Sequence, residues 1–381
     1  MKCVPYLAIC CALFVCGRVA ADAIEIIEPS QGAVVPLLSA DQKTYLSMCR
    51  AERREQFAYL GARQRIAGFG GNPQPVRLRW RLNGAGEGDA RQWRVRVVRH
   101  DDGKLFWVGE TEKPSATVEN LEVAQVYDWT VSSVVDGKQV RASGSFATED
   151  VPPRMIHLPG VPNMRDIGGR MGLGGRRIRQ GLIYRSAGLN ENAKKKGDEW
   201  IPGKNRLDEA GKRYATEFLG IKTDIDLRTD DECHGMTGSP LGETVAWLHL
   251  PGAAYANFHR KKGKAKFAKV FRELLKAERY PLVIHCIAGA DRTGSLVFTL
   301  EALLGVDEEE LYRDWEITGF SNNAKMAFRH ETRFDFLVCG FDAYPGKTLA
   351  ERVDGYVLSC GFTSDDIARF QSLMLEGGVA K

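Results

Sequence analysis

The stretch with the clearest chemistry is Tyr280 to Leu300, YPLVIHCIAGADRTGSLVFTL. It holds a cysteine, Cys286, and an arginine six residues on, Arg292, with His285 before the first and Thr293 after the second. Pro281–Ile284 is a short apolar, β-branched run that predicts a buried strand, and Ser295–Leu304 predicts a buried helix. His285–Gly294 is then a tight loop that ends on a helix N-terminus. Inward N–H groups and the positive end of the helix dipole make such a junction an anion site. The same donors stabilise a thiolate, which is the nucleophilic form of cysteine. The planar fork of Arg292 matches two equatorial oxygens of a phosphate. The backbone N–H groups of Ile287, Ala288, Gly289, Ala290, Asp291 and Arg292 would take the remaining charge. In-line attack by Cys286 on a phosphate ester would give a phosphocysteine, and Thr293 is placed to donate to the departing sulfur. His285 reads as a group that orders the loop rather than as a base.

The full string, with His285, Gly289, Thr293 and Gly294 around Cys-x5-Arg, resembles the signature loop of the cysteine-dependent protein tyrosine phosphatase superfamily. That resemblance implies phosphoryl transfer with no metal and no cofactor, because the loop itself supplies the charge stabilisation. Many members place a proton-donating aspartate on a loop before the signature strand, yet Ala246–Ile284 contains no aspartate. The Asp-Arg-Thr-Gly ending is similar to a bacterial tyrosine and lipid phosphatase branch in which the loop aspartate is proposed as the acid. This assigns the role to Asp291, with Asp224 and Asp226 in reserve; a salt bridge or helix cap is the structural alternative.

Val161–Gly169, VPNMRDIGG, resembles the Asn-Phe-Arg-Asp-Leu-Gly-Gly motif of the same branch. Gln180–Ser186, Leu207–Gly211 and Leu219–Arg228 follow in the branch's order, so the likeness covers most of residues 155–320. Arg165, Asp166, Asp226 and Arg228 read as supporting residues whose salt bridges pin loops around the site. One position departs: branch members that favour phosphoinositides carry lysine before the loop aspartate, where this chain has Ala290, an alanine also found in phytase-like cysteine phosphatases. The expected substrate is a phosphorylated protein, phosphotyrosine first, with a phosphoinositide or inositol polyphosphate as the alternative. Readings from other classes are a non-catalytic phosphate-ligand or partner-binding protein and a rhodanese-type sulfurtransferase, though the latter has no use for Asp-Arg-Thr-Gly.

The remaining chain must position this loop. At 381 residues it is long enough for two or three domains, and 44% hydrophobic with 27% charged residues describes an ordinary globular protein. Residues 1–21 read as a signal peptide: Lys2, an apolar Val4–Cys16, and Val19-Ala20-Ala21 before Asp22. Export to the periplasm or beyond is therefore expected. Cleavage would lower the net charge of +4 to about +2, too little to imply nucleic acid. Of nine cysteines, four leave with the signal. Cys49, Cys233, Cys286, Cys339 and Cys360 stay, with Cys339 and Cys360 a candidate disulfide. No spacing suggests zinc.

Residues 22–72 read as a helical lead-in, with a helix over Ala40–Arg65 whose Arg50, Arg53, Arg54, Arg63 and Arg65 form a solvated face. Residues 73–150 alternate as strands do, at Val76–Leu82, Trp93–Val97, Leu105–Val108, Ala116–Val118, Tyr127–Val135 and Ser143–Ala147. That spacing predicts a β-sandwich. Leu121-x5-Tyr127-x-Trp129-x-Val131 resembles a late strand of fibronectin type III domains, with Tyr127 as corner tyrosine. A spacer or protein-partner role is expected for it, and Trp80, Trp93 and Trp129 read as core. Glu149–Pro153 reads as a linker, and residues 151–381 as an α/β catalytic domain with a central, mostly parallel sheet flanked by helices. Two basic runs, Lys194–Lys196 and His259–Lys266, are solvated faces or, for the second, a contact for a polyanionic substrate or an anionic membrane surface.

Overall fold

The computed structural model describes residues 24–55, 71–83, 92–135, 137–321 and 331–377. The signal-peptide reading of residues 1–21 lies outside them, and among the described residues no helix is long and apolar enough to cross a membrane.

The C-terminal part is built on a five-stranded sheet in the order Ala246–His249, Thr223–Asp226, Leu282–His285, Ile183–Ser186, Arg165–Asp166. Neighbours pair in parallel except for the short edge strand Arg165–Asp166. Leu282–His285, the strand before Cys286, is buried throughout at the sheet's centre. Such a strand needs apolar residues toward both faces. Leu282 and Ile284 enter the larger helix core, and Val283 enters a second cluster with Leu158, Leu219 and Ile221. The register sets Ser186, His285 and Asp226 abreast, with His249 beyond Asp226. The loops that leave these carboxyl ends therefore meet, which is where open α/β sheets bind ligands.

Helices cover the sheet. Arg292–Leu303 is buried from Thr293 to its end. Lys261–Leu274 is amphipathic: Phe267, Val270, Phe271 and Leu274 face inward, while Lys261, Lys262 and Lys269 are exposed. Glu308–Glu316, Glu331–Gly340, Leu349–Ser359 and Ser364–Met374 join them, and Leu349–Ser359 and Ser364–Met374 open on capping boxes.

Two more sheets precede this unit. Ile24–Glu28, Val76–Leu82 and Ser115–Val118 form one; Ala33–Val35, Lys138–Thr148, Val126–Val135, Trp93–Arg99 and Leu105–Thr111 form the other. Leu78, Trp80 and Val118 of the first share a core with Val95, Tyr127, Trp129 and Phe146 of the second. Alternation in VRLRWRL becomes alternation of burial, with Val76, Leu78 and Trp80 inside and the arginines between them outside.

The lead-in requires correction. Residues 22–72 do not open as a helix: Ile24–Glu28 and Ala33–Val35 are strands of the two sheets. The helix that follows is Ala40–Ser47, and residues 50–55 are again helical. Strands this short offer too few alternating positions to stand out in sequence. Arg53 is not on a solvated face: it is fully buried, 2.7 Å from Glu309 and bound to Glu316. Arg50 and Arg54 hold Asp335 at 3.0 and 3.1 Å. These partners lie far along the chain, so the arginines dock the lead-in on the α/β unit. Arg63 and Arg65 lie outside the described residues.

The junction at residues 149–153 is pinned, with Glu149 on Lys43 at 3.1 Å and Asp150 on Arg177 at 2.6 Å. Nearby, Val123 exchanges both backbone groups with the Gln180 amide, at 2.8 and 3.0 Å. Asn120 accepts the His157 N–H at 2.6 Å and donates to Tyr214 at 2.8 Å. Cys339 and Cys360 are free thiols, not a disulfide.

Candidate active site

Cys286 directly follows the central strand and is 2% exposed. The loop after it turns at Gly289, whose φ is +68° and where a Cβ would sit 2.4 Å from the Ser186 carbonyl oxygen, so only glycine fits. The loop's carbonyls are drawn outward. That of Ile287 accepts from Gly188 N–H at 3.0 Å, that of Ala288 from Asn163 Nδ2 at 2.9 Å, and that of Gly289 from Arg185 Nη2 at 2.6 Å. In a trans peptide C=O and N–H point oppositely. Tying those carbonyls outward therefore turns the N–H groups of Ala288, Gly289 and Ala290 inward, and among the described residues they meet no acceptor. These groups form an anion nest at the start of helix Arg292–Leu303.

Arg292 is the first residue of that helix. Its Nη1 donates to Glu232 Oε2 at 2.6 Å and to the Leu227 carbonyl at 3.3 Å, and its Nη2 donates to Glu232 Oε1 at 3.2 Å. A guanidinium has five N–H donors. Among the described residues Nε–H and the second Nη2–H meet no acceptor, and they lie side by side as a fork for two oxygens. Glu232 is anchored by the Thr229 N–H at 2.7 Å. Burial would raise its pKa, but the hydrogen bonds from Arg292 and Thr229 outweigh burial and lower it, so Glu232 stays charged. Thr293 is fully buried, and its hydroxyl has no partner among the described residues. The Asp291 side chain caps no helix N–H and forms no ion pair among the described residues, so neither structural alternative accounts for it. Its Oδ1 accepts the Tyr255 hydroxyl.

Behind the loop, His285 lies fully buried between two carboxylates. Nε2 is 2.9 Å from Asp224 Oδ1, close but poorly aligned for a hydrogen bond, and Nδ1 is 3.8 Å from Asp226. Burial alone would lower its pKa; the Asp226 and Asp224 charges overcome that and raise it from 6.5 to about 9. His285 is thus an imidazolium at neutral pH and no base. Asp226 also accepts Nε and Nη2 of Arg228, and Asp224 accepts the Ser239 hydroxyl at 2.7 Å. Both reserve acids are fully buried and engaged, so neither can face a leaving group.

A folded-state pKa above the unfolded value contributes stability that is complete below about pH 6.5 and is lost as pH rises through 9. The contribution is on the order of 3 kcal/mol. Urea denaturation of wild type should weaken across that window, and His285→Gln should flatten the dependence. Equal slopes for the two proteins would contradict the buried imidazolium.

Asp166 stands apart from the loop. It accepts the Gly168 and Gly181 N–H groups at 2.8 and 2.6 Å and pairs with Arg154 at 3.0 Å, whose guanidinium also reaches the Asn120 carbonyl at 2.8 Å. Its place is the seam between the N-terminal sheets and the α/β unit. Arg165 holds Asn163 Oδ1 at 2.6 Å and Asp314 at 2.8 Å, and Asp314 also binds Arg170 and Arg185. Asn163, Arg185 and Asp314 thus set the loop's carbonyls from behind. Sequence reasoning missed Arg185, Asp314, Glu232 and Tyr255. Asn163, inside the VPNMRDIGG motif, carried the available signal.

A mostly parallel sheet that delivers a cysteine to a nest of backbone N–H groups, with an arginine on the following turn, defines a class. A family model described as the tyrosine phosphatase family matches residues 156–201 and 203–376, and the chain belongs to that family. A Cupriavidus necator protein provisionally named a tyrosine-protein phosphatase is 25% identical over 179 residues, 41% of this chain and 59% of that relative. The chain therefore spans less than two thirds of the length of the curated relative it matches.

Proposed function

We propose that the chain is an exported phosphatase that hydrolyses phosphate monoesters, phosphotyrosine first, through a phosphocysteine. The observation that carries this is the nest of inward N–H groups around Cys286, completed by the two unused donors of Arg292. The Cys286 thiolate attacks phosphorus, the ester P–O bond breaks, and Asp291 gives its proton to the leaving oxygen. Water then attacks phosphorus, Asp291 takes a proton from it, and the S–P bond breaks with Thr293 donating to sulfur. The N–H groups and Arg292 hold the equatorial oxygens throughout.

Export is supported by the pattern of residues 1–21. A fibronectin type III-like identity for the N-terminal sheets is supported by Tyr127, whose hydroxyl accepts the Glu122 N–H at 2.8 Å across the corner that precedes its strand. The tight seam at Asn120, Val123 and Arg154 favours a scaffold role for these sheets. A phosphoinositide or inositol polyphosphate substrate is favoured by one observation. Lys266 Nζ donates to the Gly252 carbonyl at 3.1 Å, and Gly252 packs on the Arg292 stem, so a second cation stands beside the site although Ala290 supplies none.

The test is phosphate release by the purified protein from phosphotyrosine peptide, phosphoinositide and inositol hexakisphosphate, with chelator present. Fastest release from the peptide supports the first reading, and a preference for a polyphosphorylated substrate supports the second. No release from any of them overturns the enzyme reading.

A further inference from the structure

The segment that leaves edge strand Ala246–His249, Leu250–Ala256, contains no carboxylate, and it carries a backbone outlier. Tyr255 has φ +54°. A bulky residue in this left-handed region is strained and persists only where its surroundings over-determine it. Here they do. The Tyr255 N–H donates to Ser295 Oγ at 3.0 Å, and its hydroxyl donates to Asp291 Oδ1. Ser295 in turn bonds the Asp291 carbonyl through its own N–H at 2.8 Å. Backbone and side chain of Tyr255 therefore grip the single helical turn that carries Asp291. Upstream, Gly252 is fixed by its N–H on the Leu227 carbonyl at 3.0 Å, by Lys266 and by packing on Arg292, so the segment is anchored at both ends.

We propose that Tyr255 is the positioning residue for proton transfer: it holds Asp291 Oδ1 so that Oδ2 faces the leaving-group oxygen. The proposal rests on the phosphocysteine reading with Asp291 as acid. In the first step Oδ2 gives its proton to the leaving oxygen while Oδ1 keeps the Tyr255 hydrogen bond. In the second, Oδ2 takes the proton from the attacking water. Tyr255 keeps its own proton in both, because burial, then the charge of Asp291, pushes its hydroxyl well above the ordinary tyrosine range. Only 8% of the residue is exposed, so water cannot easily replace that bond.

The experiment compares wild type, Tyr255→Phe, Asp291→Asn and Cys286→Ser as full chains on two esters. p-Nitrophenyl phosphate releases p-nitrophenolate, which leaves without a proton, whereas the benzyl alkoxide of benzyl phosphate needs one. The readout is the ratio of kcat/KM on the two esters, which is independent of the fraction of folded protein and reports only steps up to phosphoenzyme formation. Tyr255→Phe should lose about 10- to 100-fold on benzyl phosphate and little on p-nitrophenyl phosphate, in the same pattern as Asp291→Asn. An unchanged ratio for Tyr255→Phe beside a changed one for Asp291→Asn overturns the role of Tyr255 and leaves the enzyme reading intact. Turnover by Cys286→Ser overturns that reading instead.

Discussion

Exchange of Cys286 for serine is expected to remove phosphate release, by about 10,000-fold or more, while leaving the fold in place. Serine would occupy the same nest, but its hydroxyl needs a base to become a nucleophile, and none is at hand among the described residues. His285 is charged and enclosed by Asp224 and Asp226, and its Nδ1 faces the Cys286 carbonyl rather than the side chain. Asp226 is paired with Arg228, and Glu232 is taken by Arg292. In the proposed reaction Asp291 is the proton donor of this step, so it does not serve as the base. The cost in stability should be within about 1 kcal/mol, because the added hydroxyl meets the unused loop N–H groups. Initial rates on p-nitrophenyl phosphate and a urea midpoint check both halves. A serine variant within tenfold of wild type would rule out the thiolate as nucleophile.

Asp314→Asn should be the most damaging substitution outside the loop. Asp314 lies 2.8 Å from Arg165 and 3.2 Å from Arg170 and also binds Arg185, all buried within the fold. Burial opposes its ionisation, but the Arg165, Arg185 and Arg170 charges outweigh burial and hold it well below the usual carboxylate range. An amide would leave three buried guanidiniums with Glu301 nearby at 3.3 Å from Arg170, and Glu301 is itself shifted upward by burial and by Asp314. Breaking a buried ion pair in this way costs on the order of 3–5 kcal/mol. The effect reaches the reaction, because Arg185 ties Asp314 to the Gly289 carbonyl and so sets the Ala290 N–H. Denaturation should show the loss of stability, and kcat on the folded fraction should fall with it. An unchanged midpoint would mean that the arginine cluster does not depend on Asp314.

The parts legible in the sequence are those with local signals. The strand, loop and helix around Cys286 are contiguous, so chain order alone places nucleophile, donors and Arg292 together. Strands such as Val76–Leu82 and Trp93–Arg99 declare themselves by alternation that burial then follows. Charges that work in pairs from distant positions were not legible. Asp314 sits in a helix dense in charged residues, EEELYRDWE, where it looks solvated, and its partners Arg165 and Arg185 lie on another layer. Arg53 misleads in the same way. Glu232 follows two aspartates in a turn, with nothing to single it out. Tyr255 matters through a backbone angle that an alanine-rich segment does not announce.

The central claim is a covalent phosphocysteine, and trapping it is the most direct test. Asp291→Asn with p-nitrophenyl phosphate is the condition of choice, since this leaving group needs no acid but hydrolysis of the intermediate still lacks its base. The protein is mixed with substrate, quenched within seconds, and its peptides are mapped by mass spectrometry. The account predicts a burst of p-nitrophenolate of about one per enzyme and a phosphoryl group on Cys286, absent from Cys286→Ser. A burst with no phosphoryl group on Cys286, or the group on another residue, would contradict it.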